Sequence, residues 1–250
     1  MNPFELADRY CRELPLDINS LRLFSGAWTT SVPGFEEVTG DFAGFDDVRI
    51  HWLLSKVNIS SRPVLEFGPL EGGHTYMLEK LGKADVTSIE GNIYSFIRCL
   101  IVKNALNLRA KFILGDINSF LQYTTTNYDL ITLSGVLYHQ LMPENLLYEA
   151  SLKTDKIFIW THYYDPDRPA ENIEKNPVNR IYRSFKISLH KHTYIDPQAI
   201  QFSGGFNKYS YWLERSSLIG LLEFLGYDVE VHSENMHPLY PDILLLATRK

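Results

Sequence analysis

Three acidic side chains each stand at the end of a short apolar run, and their types and spacing fit nucleoside binding. Glu66 ends the run PVLE, Glu90 ends DVTSIE, and Asp116 follows KFILG. A carboxylate at a strand end can accept two hydrogen bonds from a ribose diol, and another can accept from an exocyclic adenine amine. An acid beside the first turn repels a pyrophosphate and suits a cationic ligand. These residues therefore predict a site for an adenosine that carries a positive charge.

Glycines accompany these acids where a ligand would approach the backbone. Gly68 and Gly72 flank the turn after the first run, and Gly115 precedes Asp116. A dinucleotide fingerprint would need glycine where Leu70 stands, and the turn has no G-K-[ST] phosphate loop. The turn is therefore interpreted as the cradle of a ligand without a pyrophosphate.

Each of these residues also has a purely structural interpretation. Glu66 could belong to a simple strand-to-helix turn, Glu90 could favour a helix dipole, and Asp116 could be an N-cap. His74 is interpreted as a cap or packing residue of the next helix, and residues 190–192 (HKH) as solvated. The ligand-binding interpretation is favoured because an acid at the end of an apolar strand is costly to bury unless it is solvated or paired.

Two histidines follow later apolar runs and could act as general bases. His139 lies in VLYHQLMP and His162 in WTHYYDPD. A histidine near its intrinsic pKa accepts a proton at neutral pH, so these two are the candidate catalytic residues. A role as hydrogen-bonded wall residues is the alternative. The spacing of these histidines with Asp165 is not that of a metal site, so no metal is predicted.

Aromatic and charged residues elsewhere could contact an acceptor, although packing in the core is the alternative for the aromatic ones. The candidate substrate residues are Trp28, Tyr138, Tyr164, Asp165 and Arg215. The stretch 168–192 holds six Lys or Arg against two Glu, a local net charge of +4. That charge would suit an anionic acceptor or RNA, and a solvated insert with incidental charge is the alternative.

Apolar runs that alternate with helical patterns must position these residues. The predicted strands are PVLEFG, DVTSIE, KFILG, YDLITLS and KIFIWTH, and the predicted helices include 71–82, 93–106 and 144–152. This alternation predicts βαβ units and a parallel sheet. Because the strands are continuously hydrophobic, helices should cover both faces.

The flanks of this core follow different patterns. Residues 1–60 are predicted to form an N-terminal helical cap, and residues 61–250 the core. The alternation stops over 165–210, which is predicted to be an insert that contacts substrate. An amphipathic helix over 213–225, closed by Gly226, and a terminal hairpin of YDVEVHS and DILLLATR follow it.

The composition excludes several classes of protein. The 250 residues are 45% hydrophobic and 22% charged, which indicates one large globular domain rather than a disordered chain. A net charge of −6 favours a small-molecule partner over nucleic acid or an anionic membrane. Cys11 and Cys99 have no paired spacing, and no run resembles a signal or membrane segment, so a cytoplasmic protein is expected. A dimer is the commonest oligomer, but no oligomeric state is predicted.

Taken together, these motifs resemble the class I S-adenosylmethionine-dependent methyltransferases over about residues 62–165. The matching residues are Glu66, Gly68, Gly72, Glu90, Gly115, Asp116 and the run 128–131 (YDLI). Pro69, Leu70 and Glu71 stand where the family often has G-x-G. The resemblance implies an α/β fold with a doubly wound, mostly parallel seven-stranded sheet, and S-adenosylmethionine as cofactor with S-adenosylhomocysteine as product. The cofactor-binding residues that it implies are Glu66, Gly68, Gly72, Glu90, Asn92, Gly115, Asp116, Ile117, Ser134 and Gly135.

The same resemblance implies an SN2 transfer of a methyl group to a nucleophile. The charge pattern predicts that the acceptor is a small polar molecule, either neutral or anionic, methylated on oxygen or nitrogen. The cofactor supplies most of the chemical drive, so the protein aligns and desolvates the reactants. Residues 135–139 (GVLYH) look like a segment of tRNA wobble-uridine modifying methyltransferases, so an RNA-modifying enzyme is the first alternative. A catalytically silent protein that binds the cofactor is the second.

Overall fold

The computed structural model describes residues 11–168, 170–194, 204–205, 207–236 and 240–250. The strands of its main sheet are β1 (Pro63–Phe67), β2 (Asp85–Glu90), β3 (Lys111–Leu114), β4 (Leu130–Ser134), β5 (Lys156–His162), β9 (Tyr227–Asn235) and β10 (Asp242–Arg249). Their order is β3-β2-β1-β4-β5-β10-β9, with β1 to β5 parallel and β10 antiparallel to both neighbours. The predicted seven-stranded, mostly parallel sheet and its terminal hairpin are confirmed.

Helices connect the parallel strands, as the alternation predicted: α3 (Gly73–Lys80), α4 (Ile93–Ala105), α5 (Ile117–Tyr123) and α6 (Pro143–Ser151). Helices α1 (Asp17–Arg22) and α2 (Val48–Lys56) precede β1, and α7 (Arg215–Phe224) precedes β9. The start of α4 has a local cause, because Asn92 Oδ1 accepts hydrogen bonds from the backbone N–H groups of Tyr94 and Ser95. No helix among the described residues combines the length and hydrophobicity that crossing a membrane requires.

The strands are apolar throughout because their side chains fill cores on both faces of the sheet. Along β4, Leu130 packs into one core while Ile131 and Leu133 pack into the other. Phe158 of β5 faces the first core, and Ile159 faces the second. All five are fully buried. The period of two in a strand sends successive side chains to opposite faces, so a sheet covered on both sides needs apolar residues at every position.

The N-terminal residues pack onto the sheet domain rather than forming a core of their own. Leu21, Phe24 and Trp28 share a hydrophobic cluster with Val102 of α4 and Leu108. Helix α2 contributes Ile50 and Leu53 to one of the two sheet cores. Between α1 and α2 the chain forms turns and isolated bridges, so the segment lies against the site end of the molecule through its loops.

The insert after β5 folds into a second, three-stranded antiparallel sheet. Its strands are β6 (Val178–Tyr182), β7 (Phe185–Thr193) and β8 (Tyr209–Leu213), in the order β6-β7-β8. The sheet packs on the 3-10 turn Leu137–His139 that follows β4. The prediction that residues 190–192 are solvated is wrong for both histidines, since His190 is 2% and His192 8% exposed. Their burial follows from inward-facing positions on β7, which a local charge count cannot reveal.

Candidate functional site

A deep cleft opens at the carboxyl ends of the parallel strands. Helices after β1 and β4 leave the sheet in opposite directions, and ligands bind in open α/β sheets at such a switch point. The cleft has a volume of about 1230 Å³. Single-ligand pockets are typically about 300–1,000 Å³, so this cleft has room for two molecules side by side.

The turn after β1 has an unusual backbone. Gly68, Leu70 and Gly72 all have positive φ, at 64°, 56° and 82°. A side chain at Gly68 would lie 2.8 Å from a methyl group of Val136, so glycine is required there on two grounds. Leu70 occupies a left-handed conformation at a position where the sequence departs from G-x-G, which costs about 1–2 kcal/mol for a residue with a side chain. A ligand in the cleft can therefore approach Gly68 and Leu70 closely.

Glu90 ends β2 with its carboxylate in the cleft. Its Oε1 accepts from the N–H of Asn92 at 2.8 Å and its Oε2 from the N–H of Leu70 at 3.1 Å. Burial raises the pKa of Glu90, and these backbone hydrogen bonds oppose that shift. An ionised carboxylate has about four lone-pair directions, so two remain for a diol. Glu90 therefore lies in the cleft, and its ribose-binding role stays a prediction.

Asp116 and Ile117 line the cleft at the end of β3. Asp116 Oδ2 caps α5 by accepting from the N–H and the hydroxyl of Ser119, both at 2.8 Å. The N-cap alternative thus describes one oxygen of this carboxylate, and the other accepts no hydrogen bond from a residue that the structure describes. Asn92 also lines the cleft while it caps α4.

Glu66 does not reach the cleft, in contrast to its predicted contact with the ligand. It is 3% exposed beneath the turn, where the hydroxyls of Thr75 and Ser88 donate to its Oε2. Burial raises its pKa, against the opposing effects of His74 and the two hydroxyls. Glu66 therefore links β1 to α3 and β2 through these hydrogen bonds, beneath the turn. Gly72 and Gly115, also predicted to contact the cofactor, do not line the cleft either.

The end of β4 forms the centre of the cleft. Ser134 and Gly135 line it, and Gly135 has a φ of 76°. A side chain at Gly135 would lie 3.5 Å from the Trp160 ring and 3.8 Å from the Tyr138 hydroxyl. The three residues therefore leave space at this point for a ligand atom between two aromatic rings. Burial raises the pKa of Tyr138, so its hydroxyl stays protonated.

A charged cluster on the opposite wall was missed by the sequence analysis. Asp47 caps α2 and binds Arg49 through Nε at 2.9 Å, and His74 Nε2 lies 2.9 Å from its other oxygen. Burial by itself would raise the pKa of Asp47, but the hydrogen bonds and charges of His74 and Arg49 outweigh it and lower that pKa. The Arg49 guanidinium lies 4.4 Å from the centre of the Trp160 ring. Residues 46–50 (DDVRI) carry only an N-cap signal, so no local pattern indicates this cluster.

Of the two candidate catalytic histidines, only His139 lines the cleft. Its Nδ1 lies 2.6 Å from the Tyr194 hydroxyl. His162 is displaced from its predicted place in the cleft, because its ring stacks on Trp212 and its edge meets Tyr138 from behind. In the part of the chain that the structure describes, no group of three or more His, Cys, Asp or Glu side chains is arranged to hold a metal ion.

Among the five candidate substrate residues, the structure brings only Tyr138 to the cleft. Trp28 is 5% exposed and its indole N–H donates to the carbonyl of Leu21, so it packs in the cluster that the N-terminal segment shares with α4. Tyr164 stacks face to face on His190. The remaining two face other charges, Asp165 beside Arg168 and Arg215 paired with Glu234. For Tyr164 and Asp165 the cause is that the chain after β5 turns away from the cleft before the small sheet returns to it.

Glu71 is a second residue that sequence reasoning missed. It is fully buried, forms an ion pair with Arg98 at 2.8 Å, and accepts from the N–H groups of Thr29 and Thr30. Glu71 therefore ties the turn after β1 to α4 and to the N-terminal segment. Its position between Gly68 and Gly72 is the one local signal of this role in the sequence, since an acid that is buried inside a glycine turn needs a partner.

Comparisons with known proteins establish the fold. The sequence matches no family model, and no curated protein is similar to it. The structure is similar to the N-terminal domain of EvdMO1, crystallised in the presence of S-adenosylhomocysteine (SAH) and D-fucose, with 20% identity, a TM-score of 0.71, and coverage of 93% of this chain and 94% of that domain. It spans 42% of the longer EvdMO1 chain.

A second similar structure is magnesium protoporphyrin IX methyltransferase from Synechocystis PCC 6803 with bound SAH. The identity is 14%, the TM-score 0.56, and each chain is covered to 82%. Identities this low establish a shared fold alone. The chain thus has the Rossmann-like fold of S-adenosylmethionine-dependent methyltransferases.

Proposed function

We propose that this protein is an S-adenosylmethionine-dependent methyltransferase that transfers a methyl group to oxygen or nitrogen of a small, neutral, hydroxylated acceptor. One observation carries the proposal: the carboxylates of Glu90 and Asp116 and the turn at Gly68 meet in a cleft that has room for a second molecule. The fold shared with proteins crystallised with SAH supports the same cofactor.

The residues at one end of the cleft fit the cofactor. Glu90 has two lone pairs left for the ribose, and Asp116 has an oxygen left for the adenine amine. Gly68 and Gly135 leave the space that a side chain would fill. On the opposite wall, Arg49 and His74 line the cleft, and both are already paired with Asp47.

The other end of the cleft fits an acceptor without formal charge. The residues that line it are Tyr138, His139, Gln140, Leu141, Met142, Asn145, Trp160 and Asn207. Two cations contact these residues, Arg49 at Trp160 and Arg180 at Leu141, and both are already paired, with Asp47 and with Glu144. Amide side chains with an aromatic surface suit hydroxyl groups on a ring, whereas an anionic acceptor would need an uncompensated cation. D-fucose, present in the EvdMO1 crystals, is an acceptor-sized molecule of this neutral, hydroxylated kind.

S-adenosylmethionine supplies an electrophilic methyl group, whose bond to sulfur breaks as the bond to the acceptor forms. The chain's own contribution is alignment and exclusion of water. Gly135 leaves space for the reacting atoms beside the Trp160 ring and the Tyr138 hydroxyl. Aromatic rings there favour a cationic group, and the Tyr138 hydroxyl can orient the attacking atom.

Calorimetric titration with S-adenosylmethionine and with SAH tests the cofactor assignment. We expect micromolar binding, and at least tenfold weaker binding to Glu90→Ala, about 1.4 kcal/mol. Glu230→Ala, which removes an exposed acid of β9, is the matched control and should bind like wild type. If folded wild-type protein binds neither ligand, the proposal fails.

The same titration, combined with a screen for methyl transfer, distinguishes an active enzyme from the catalytically silent alternative. Tight binding of S-adenosylmethionine without transfer to any member of a panel of neutral sugars, phenols and amines would favour a protein that binds the cofactor without turnover. Transfer to a hydroxylated ring would exclude that alternative.

A further inference from the structure

His139 joins the cleft to the insert sheet. The Cα of Gly205 packs so closely on its backbone that a side chain there would lie 2.6 Å from the His139 carbonyl oxygen. Its Nδ1 lies 2.6 Å from the Tyr194 hydroxyl at the end of β7. Its Nε2 forms no hydrogen bond with any residue that the structure describes, and the ring lines the cleft. One nitrogen therefore faces the insert, and the other is left for a ligand.

The chemistry of the His139–Tyr194 pair determines which atom donates. A phenol is the stronger donor of the two, and a bare imidazole nitrogen is the stronger acceptor. The Tyr194 oxygen already accepts from the N–H of Gly205 at 3.4 Å. Its O–H is therefore directed at Nδ1 of His139, which must be bare.

A chain of hydrogen bonds from Asn172 through His192 and Ser210 also donates towards Tyr194. Asn172 Nδ2 donates to the carbonyl of Thr193, which fixes the orientation of the amide, and the same NH₂ group lies 2.9 Å from His192 Nε2. Nε2 of His192 must then accept, so its proton is on Nδ1, which lies 3.4 Å from the Ser210 hydroxyl. Ser210 cannot donate back to that nitrogen. Its proton is directed at the Tyr194 oxygen, which it contacts.

His139 carries one ring proton at neutral pH. Burial, followed by the nearby His192 and His162, lowers the pKa of His139 to about 3. A neutral imidazole has one N–H group, and with Nδ1 bare that group is Nε2–H. In this state Nε2 has no lone pair with which to remove a proton.

We propose that the insert, acting through Tyr194, holds His139 as the neutral Nε2–H form, and that this N–H donates a hydrogen bond to an oxygen of the methyl acceptor. His139 then selects acceptors with a hydrogen-bond-accepting oxygen beside the methylated atom, and Tyr194 is its positioning residue. The proton that the acceptor releases on methylation passes to the bulk solvent. The identity of the ligand rests on the proposed function, whereas the protonation state of His139 does not.

Two-bond ¹H–¹⁵N spectra of protein with ring-labelled histidine distinguish a protonated from a bare ring nitrogen. The signals of His139 are assigned by their loss in His139→Gln. We expect a bare Nδ1 and a protonated Nε2 near neutral pH, with and without SAH. A proton on Nδ1, or a doubly protonated ring, overturns the proposal.

Tyr194→Phe removes the donor and keeps the ring. We expect His139 in that variant to populate both neutral forms, an effect that a purely structural role of Tyr194 would not produce. Tyr209→Phe, a partly exposed tyrosine of the same sheet, is the matched control and should leave the His139 signals in place. Unchanged His139 signals in Tyr194→Phe overturn the positioning role.

The two proposals fail separately. If SAH binds but His139 carries its proton on Nδ1, the inference about His139 is wrong and the cofactor assignment stands. If His139 has the expected form but neither SAH nor S-adenosylmethionine binds, the methyltransferase proposal fails, and with it the methyl acceptor as the partner of Nε2–H.

Discussion

Three buried glutamates near the cleft have three different environments. Glu66, Glu71 and Glu90 are 3%, 0% and 7% exposed. Glu71 is paired with Arg98, and Glu90 accepts from two backbone N–H groups. Glu66 accepts only from hydroxyl groups, so its charge is the least compensated of the three. The cost of burying a charge depends on such partners more than on depth.

Glu66→Gln should stabilise the protein at high pH. Because burial raises the pKa of Glu66, the folded state binds more protons than the unfolded chain above the ordinary value of 4.5. Wild-type stability therefore falls as pH rises through that range, and the glutamine variant escapes this loss. We expect a higher urea midpoint for Glu66→Gln at about pH 8, with a difference that shrinks as pH approaches 4.5.

Glu230→Gln on β9 controls for the loss of one negative charge without burial, and urea unfolding is followed for all three proteins across the pH range. A Glu66→Gln protein less stable than wild type at about pH 8 would show that the two hydroxyls fully compensate the carboxylate.

At the scale of elements, the start of α3 packs in close backbone contact with the N-terminal segment. A side chain at Gly73 would lie 2.4 Å from the carbonyl oxygen of Gly44, and both glycines line the cleft. Glu71 holds the same segment through Thr29 and Thr30. The cleft wall is therefore built from two parts of the chain that are close only in the folded protein.

Gly73→Ala should push the start of α3 away from the N-terminal segment at Gly44. The clash is with backbone, which cannot rotate away, so we expect a loss of about 1–3 kcal/mol or more in urea unfolding. Binding of SAH should weaken by at least about tenfold, because Gly44 and the turn form one wall of the cleft. Gly115→Ala is the matched control for stability, since no atom lies within 4 Å of the added carbon. Equal stability of the two variants would mean that residues 44–45 give way at little cost.

At the scale of the whole molecule, half of the cations in the basic stretch of the insert are already paired with acids. Arg168, Arg180 and Lys191 each pair with an acid, and Arg183 lies over the ring of Tyr148. Phosphate binding needs cations that are available to the ligand. The net charge of −6 adds a general repulsion.

The protein should therefore not bind tRNA. In a gel-shift titration with total tRNA at about 50 mM salt, we expect no complex. A complex that forms there and dissociates steeply as salt increases would contradict this expectation and restore the RNA-modifying alternative.

The positions that the sequence predicted well are those determined by local chemistry. Apolar runs such as DVTSIE and KIFIWTH became β2 and β5 with the same bounds, because a strand buried on both faces needs apolar residues throughout. Glu90 and Asp116 were predicted from their places at strand ends, and parallel strands bring their carboxyl ends to one edge.

Other residues were determined by contacts distant in sequence, which only the tertiary structure decided. The same strand-end rule misplaced Glu66 and His162, because whether a side chain at a strand end faces the cleft or the layer beneath depends on how the next segment packs over it. Arg49 reaches Trp160, and Tyr194 reaches His139, across long stretches of chain. The sequence by itself determined the sheet and the edge at which Glu90 and Asp116 meet, since these follow from periodicity. The packing of the N-terminal segment and of the insert decided which other side chains line the cleft, since burial and hydrogen-bond direction arise only when distant segments meet.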